Sequence, residues 1–295
     1  MAGSEIDGIR ALLGSKPRPV GWAERRQRLD EVGSTWPVAP DVRCEAVDCD
    51  GIPGEWSRVP DSDTSRVLLY FHGGGYCSGS ILSHRRLVTE AGRAARMRTL
   101  AIDYRRAPEH PYPAAHENAL TAWRFLRKQG IAAKRIAVGG DSAGGNLTLG
   151  LIQRLRASGE DLPGCAWLLS PWTDLTQSGA SYRSRAEADP MITKAGLDTM
   201  AAAYLDGGSA DDPIASPLFA DLTGLPPLLV HVGDAEMLLD DSVRLHERAV
   251  AAGVDATLQV WDDMIHVFQA FPPELLPESD ESIAGIAEFL ADRLA

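Results

Sequence analysis

The chain has 295 residues, of which 44% are apolar, and a formal net charge of −12. This length is enough for one large core and does not by itself require two domains. The acidity argues against nucleic acid as a partner, because phosphate binding needs clustered cations. The sequence contains no run of 18 or more apolar residues, so no membrane span is predicted. Residues 1–20 lack the pattern of a signal peptide, and a cytoplasmic location is therefore expected.

Apolar, β-branched runs alternate with amphipathic stretches along the chain. Strands are predicted near residues 66–72, 99–104, 135–139, 165–170, 227–232 and 257–261. Helices are predicted near residues 83–96, 115–128, 145–157, 240–252 and 281–294. This alternation predicts an α/β fold with a mostly parallel sheet covered by helices on both faces, and residues 41–60 are expected to add antiparallel strands at one edge.

The first motif follows the predicted strand at Val67–Phe71 and reads His72-Gly73-Gly74-Gly75-Tyr76. Three glycines after a strand let the backbone turn tightly with its N–H groups facing inward, as an oxyanion hole requires. Such loops accompany nucleophile elbows in lipases and esterases. The alternative, a phosphate-binding loop, is disfavoured because the loop matches neither glycine-rich phosphate motif.

The second motif is Gly-x-Ser-x-Gly within Gly140–Gly145. It stands between the predicted strand at Arg135–Val138 and a stretch of helical spacing that begins at Asn146. Strand, sharp turn and helix are the context of a nucleophile elbow, so Ser142 is the candidate nucleophile. The alternative is a glycine-rich turn that happens to expose a serine.

A serine nucleophile needs an imidazole base, which in hydrolases of this kind comes last in the chain. His266 fits best, because it follows the strand-like run Thr257–Trp261. His231 lies within an apolar run and is expected to be structural, and His72 is expected to brace the glycine loop. Three other histidines precede the candidate nucleophile: His84, His110 and His116.

The acid is expected between the strand at 227–232 and the helix at 240–252. Four carboxylates lie there: Asp234, Glu236, Asp240 and Asp241. Any carboxylate that reaches the imidazole Nδ1–H can orient the ring and stabilise the imidazolium. The residues alone do not choose among the four.

Five stretches together resemble the bacterial hormone-sensitive-lipase family of α/β-hydrolases, and they fall in the family's order. They are Phe71–Tyr76, Asp103–Ala115, Gly140–Gly145, Ser170–Leu175 and Asp263–Phe268. The resemblance implies the α/β-hydrolase fold. It also implies a serine carboxylesterase without cofactor.

The resemblance also bears on the acid and the oxyanion hole. Many members carry Asp-Pro-Leu-Arg-Asp at the acid, from which this chain departs. Aligning Leu238–Asp240 with Leu-Arg-Asp puts Glu236 at the catalytic position, with Asp234 as the alternative. Asp240 and Asp241 are expected to place charge at the N-terminus of the next helix, where it is favourable. The implied oxyanion donors are the backbone amides of Gly74, Gly75 and Ala143.

By the same resemblance, residues 1–40 and 176–215 form a small helical cap, and residues 41–175 and 216–295 form the catalytic domain. The alternative is that the two shorter segments only decorate the surface. Six residues are candidates for an apolar acyl pocket or for the core of the cap: Trp22, Trp36, Tyr182, Met191, Ile192 and Tyr204.

The predicted function is therefore hydrolysis of short- to medium-chain acyl esters through an acyl-enzyme on Ser142, because the cap would restrict long chains. Lactone and amide hydrolysis are alternatives with the same triad. A non-catalytic ligand receptor on this fold is disfavoured because His266 is present. The four cysteines lack zinc or redox spacing and are expected to be reduced. No metal is predicted, because His, Cys, Asp and Glu do not otherwise cluster in the sequence as metal ligands. The expected partner is a small-molecule ester, and a homodimer stays open.

Overall fold

The computed structural model describes residues 2–15 and 17–294, so Met1, Lys16 and Ala295 of the predicted segments 1–40 and 216–295 lie outside the described residues. The helices are α1 (Ala2–Gly14), α2 (Gly21–Gly33), α3 (Ile81–Ala94), α4 (Ala114–Lys128), α5 (Ala143–Ser158), α6 (Ser181–Ser184), α7 (Lys194–Leu205), α8 (Leu239–Ala251) and α9 (Pro277–Arg293). The strands are β1 (Arg43–Asp48), β2 (Pro53–Arg58), β3 (Asp63–Phe71), β4 (Met97–Ile102), β5 (Ile136–Asp141), β6 (Cys165–Leu169), β7 (Leu228–Gly233) and β8 (Ala256–Trp261).

The strands of the described residues form one eight-stranded sheet in the order β1-β2-β4-β3-β5-β6-β7-β8. Every pair from β4 to β8 is parallel, while β2 runs antiparallel to both β1 and β4. The predicted parallel sheet with antiparallel strands at one edge is thus confirmed. Strands β5, β6 and β7 are buried along their whole length, which explains why each begins with a run of apolar residues.

Helices cover both faces of the sheet. Along β3, Leu69 and Phe71 pack in one cluster with the buried faces of α4 and α5, whereas Leu68 and Tyr70 pack in another with α3 and α9. Successive side chains of a strand point to opposite faces, so this split follows from the period of two. The alternation of the sequence therefore predicted the layers correctly.

Helix α7 lies on the side of the sheet where the parallel strands end. The ring of Tyr204 on α7 stacks on that of Tyr76, with centroids 3.8 Å apart. Helix α2 is fastened to the same region by Arg26, whose guanidinium donates to Cys77 O at 2.8 Å and Ala107 O at 2.9 Å. None of the helices in residues 2–15 and 17–294 is both long and apolar enough to cross a membrane.

Candidate active site

Ser142 occupies a sharp turn between β5 and α5. Its backbone has φ +52° and ψ −118°, a strained conformation of the kind that clusters at functional sites. The turn is tied to β6, because the Ser142 amide donates to Leu169 O at 2.9 Å. A Cβ at Gly144 would collide with the carbonyl oxygen of Phe71, so the helix can approach β3 this closely only with glycine there. The predicted strand–turn–helix context is what the structure contains.

The glycine loop is anchored to the residue before the serine. The Gly73 amide donates to Asp141 Oδ1 at 2.9 Å, and the Tyr70 hydroxyl donates to the same oxygen at 2.6 Å. Asp141 is fully buried; burial alone would raise its pKa, but the nearby His84 and the hydrogen bonds outweigh burial and lower the pKa. An ionised, buried carboxylate therefore fixes the start of the loop.

Three backbone amides around the turn, those of Gly74, Gly75 and Ala143, donate to no protein group within residues 2–15 and 17–294. Gly74 and Gly75 have φ of +103° and +61°, and within the described part of the chain their N–H groups donate to no other protein group. A Cβ at Gly74 would also collide with the Ser78 carbonyl, so both conformation and space require glycine. Ala143 is the first residue of α5, and its amide has no acceptor within the helix.

His72 braces the loop from beneath. Its ring stacks on Tyr104 at 4.1 Å between centroids, and its Nδ1 lies 2.8 Å from Gly73 O. Burial lowers the pKa of His72 to about 3, so the ring is neutral and Nδ1–H donates to the carbonyl. The Tyr104 hydroxyl in turn donates to His72 O at 2.8 Å.

The structure brings the predicted base and one predicted acid together. His266 Nδ1 lies 3.1 Å from Glu236 Oε1, and Glu236 is fully buried. The second oxygen, Oε2, accepts from the Ser170 hydroxyl at 2.7 Å and from the Gly233 amide at 3.1 Å. Ser170 Oγ also accepts from the Val267 amide at 3.1 Å. Ser170 thus links the acid to the residue that follows the histidine.

The electrostatics favour a charged imidazole more than in water. Burial alone would lower the pKa of His266, but the Coulombic attraction and the hydrogen bond of Glu236 outweigh it and raise the pKa. Because a carboxylate only accepts, Nδ1 must carry the proton in the neutral ring. The lone pair is then on Nε2, the nitrogen that a base for Ser142 must use.

The other three candidate acids are engaged elsewhere. Asp234 Oδ1 accepts from the Asp263 amide at 2.7 Å, and Asp240 Oδ2 accepts from the Ser181 amide at 3.0 Å. Asp241 lies in the first turn of α8, as expected, but it is fully buried and accepts from the Thr173 amide at 2.8 Å. Burial raises the pKa of Asp241 to about 8. Among the described residues, none of these three is hydrogen-bonded to His266.

Ser142 and His266 are both nearly buried, with 7% and 6% of their surface exposed. Within the described chain, the serine hydroxyl is not hydrogen-bonded to the imidazole. Catalytic hydrogen bonds of this type are often long in a free enzyme and tighten when substrate binds.

Sequence reasoning missed several residues around the site. Asp141 and Ser170 lay inside the quoted motifs, but their partners are distant in sequence and no local signal gives their roles. Met200 on α7 packs against Gly75, where a Cβ would meet its sulfur. Tyr182 and Tyr204 were candidates for an acyl pocket. They are only 2% and 1% exposed, and their hydroxyls are hydrogen-bonded to buried groups, so both side chains are part of the packed core.

All four cysteines lie within the described residues and are free thiols; Cys44 is exposed, while Cys49, Cys77 and Cys165 are buried. Burial raises the pKa of the Cys77 thiol to about 12. The thiol is therefore protonated, although it lies next to the glycine loop. Residues 2–15 and 17–294 contain no group of three or more His, Cys, Asp or Glu side chains placed to hold a metal ion.

Comparison with known proteins agrees with this architecture. A family model described as the alpha/beta hydrolase fold matches residues 68–270. An acetyl-hydrolase of Streptomyces hygroscopicus is 39% identical over 98% of this chain and 97% of its own. The crystal structure of an esterase of the bacterial hormone-sensitive lipase family is 43% identical, with a TM-score of 0.96 over 99% of both chains. A crystal structure of EstE5 soaked with p-nitrophenyl butyrate is 44% identical, with a TM-score of 0.94 over 98% of both chains.

The sheet, the elbow and the matching family model define an α/β-hydrolase. Within that class, the chain belongs to the bacterial hormone-sensitive-lipase family and is a carboxylic ester hydrolase. The predicted fold and family are confirmed.

Proposed function

We propose that the protein is a serine carboxylesterase in which Ser142 is the nucleophile, His266 the general base and Glu236 the acid that orients it. The observation that carries this proposal is the buried hydrogen bond of 3.1 Å between His266 Nδ1 and Glu236 Oε1. It leaves Nε2 free to accept a proton, and Ser142 lies in a strained turn between β5 and α5, within the Gly-x-Ser-x-Gly motif of a nucleophile elbow.

Ser142 Oγ attacks the ester carbonyl carbon, and its proton moves to His266 Nε2. Glu236 stabilises the imidazolium that forms and does not itself take the proton. The negative charge on the carbonyl oxygen is met by the free amides of Gly74, Gly75 and Ala143, and losing one such donor costs about 10²- to 10³-fold in rate. His266 then protonates the leaving alkoxide. A water molecule then gives a proton to the same ring and attacks the acyl carbon. The bond between that carbon and Ser142 Oγ breaks, His266 returns the proton to Oγ, and the carboxylic acid leaves.

The proposed substrates are short- to medium-chain acyl esters. Residues 1–40 and 176–215 supply α1, α2, α6 and α7, and we assign these segments to a cap over the catalytic domain. The contact of Met200 with Gly75 supports this, because α7 then limits the space beside the proposed oxyanion hole. An acetyl-hydrolase among the relatives and a related esterase soaked with a butyrate ester point to the same range.

A screen of p-nitrophenyl esters from acetyl to palmitoyl, with one lactone and one anilide, tests the proposal. We expect the highest kcat/KM at acyl chains of acetyl to hexanoyl and little activity on palmitoyl. A preference for the lactone or the anilide would favour the alternative hydrolases, and binding of esters without turnover would favour a receptor. The cytoplasmic location, the lack of a nucleic-acid partner and the homodimer stay predictions.

A further inference from the structure

A carboxylate outside the proposed triad holds the loop that carries the acid. Asp189 lies between α6 and α7 and is 4% exposed. Its Oδ2 accepts from the Met237 amide at 2.9 Å, and its Oδ1 accepts from the amides of Met191 and Ile192, each at 2.9 Å. One buried side chain therefore joins the segment 176–215 to the loop between β7 and α8.

Met237 directly follows Glu236, so its peptide group sets where the acid points. The same segment forms a second hydrogen bond with Met237, because the Ser181 hydroxyl donates to Met237 O at 2.6 Å. Both polar groups of the Met237 backbone are thus satisfied by residues 181–189. Since buried amides need partners, loss of Asp189 would release the loop or leave its N–H unpaired.

We propose that Asp189 is a positioning residue of the esterase site, which holds the Met237 amide so that Glu236 reaches His266 and places a further negative charge near the imidazole. This inference rests on the proposed function, because it concerns the residues that the proposal makes acid and base.

The surrounding charges support the role of Asp189 as a further negative charge near the imidazole. The negative groups that act on His266 come from three elements: Glu236 before α8, Asp189 from the segment between α6 and α7, and Asp141 at the end of β5. Asp141 is already paired with His84, whose Nε2 lies 3.2 Å away. Within the described residues Asp189 forms no salt bridge. Its attraction, after that of Glu236, contributes to the raised pKa of His266.

Two arginines near Asp189 in the sequence or the fold, Arg185 and Arg18, contact other groups. Arg185 lies 3.8 Å from Asp234, and Arg18 donates to the Met191 carbonyl at 2.9 Å. The charge of Asp189 is therefore balanced mainly by backbone amides. Removing it should affect the imidazole as well as the loop.

Two variants separate position from charge. Asp189→Asn keeps the shape but removes the charge and one acceptor, so we expect kcat to fall about tenfold and the acid limb of the kcat/KM profile to move to lower pH. Asp189→Glu keeps the charge but displaces the carboxylate by one methylene, so we expect a lower kcat with the acid limb unmoved. The matched control is Asp198→Asn, an exposed carboxylate of α7 paired with Lys194, which should change neither quantity.

The inference is overturned if Asp189→Asn moves the acid limb no further than Asp198→Asn, or if Asp189→Glu keeps the wild-type kcat. The second result decides the question even if the asparagine variant does not fold. An NMR titration of the His266 ring in wild type and Asp189→Asn reads the same charge effect without substrate. If wild type hydrolyses no ester, the proposed function fails, while the titration still tests whether Asp189 raises the pKa of His266.

Discussion

Replacing Glu236 by glutamine exchanges one carboxylate oxygen for an NH₂ group in the buried pair with His266. The hydrogen bonds around the side chain determine which way the new amide must turn. At the Oε2 position the side chain accepts from the Gly233 amide and the Ser170 hydroxyl. An NH₂ group there would face the Gly233 N–H, which cannot turn away. The amide NH₂ must therefore point at His266.

That orientation reverses the imidazole tautomer. Nδ1 of His266 would have to accept from the glutamine NH₂, so the ring proton would move to Nε2 and face Ser142. A ring in this tautomer cannot take the serine proton, and the imidazolium would lose its counter-charge. The comparable loss in a serine triad is about 10⁴-fold in kcat, or ~5.4 kcal/mol of transition-state stabilisation.

The assay is steady-state hydrolysis of a p-nitrophenyl ester by purified Glu236→Gln, with far-UV circular dichroism and thermal melting to verify the fold. Asp234→Asn is the matched control, because Asp234 accepts from the Asp263 amide and, within the described residues, is not hydrogen-bonded to the imidazole; the kcat of this variant should stay within about tenfold of wild type. A kcat of Glu236→Gln within tenfold of the wild-type value would refute the assignment of the acid, and so would a control variant that loses most of its activity.

Three further predictions concern the nucleophile, the base and the glycine loop. Ser142→Ala should lose ester hydrolysis while keeping its melting temperature within a few degrees; activity above a few per cent, with contaminating esterase excluded, would count against the nucleophile. The kcat/KM of wild type should fall as the pH decreases through the raised pKa of His266, since the imidazolium cannot accept a proton; a flat profile across the histidine range would contradict this. Gly74→Pro should lower kcat at least 10²-fold with a smaller change in KM, because proline removes the proposed donor and cannot adopt φ +103°; an unchanged kcat in a folded variant would exclude this loop as the oxyanion hole.

Most of the fold could be predicted because it depends on local patterns. The buried parallel strands begin with apolar runs, and apolar residues recur at helical spacing in the helices between them. The boundaries were less accurate where a cap decides them. Helix α3 begins at Ile81, earlier than predicted, because Ser80 and Ser83 form reciprocal capping bonds. Helix α9 begins at Pro277, where proline suits the first turn.

In the candidate site, too, the parts that depend on local sequence could be predicted, whereas those that depend on tertiary contacts could not. The elbow and the glycine loop are short motifs whose backbone demands can be read from neighbouring residues. The supporting groups cannot, because Asp141, Ser170 and Asp189 act on partners 48 or more residues away. Asp241 shows the limit most clearly: its place at the start of α8 was predicted from local charge, but its burial against the 173–174 backbone depends on the tertiary fold.

The central claim is that Ser142 forms a covalent acyl-enzyme, and mass spectrometry of the intact protein tests it most directly. Wild type treated briefly with a p-nitrophenyl alkylphosphonate should gain the mass of one phosphonyl group, and peptide mapping should locate it on Ser142. Ser142→Ala should gain none under the same conditions. Equal labelling of the alanine variant, or an adduct on another residue that accounts for the lost activity, would contradict the account.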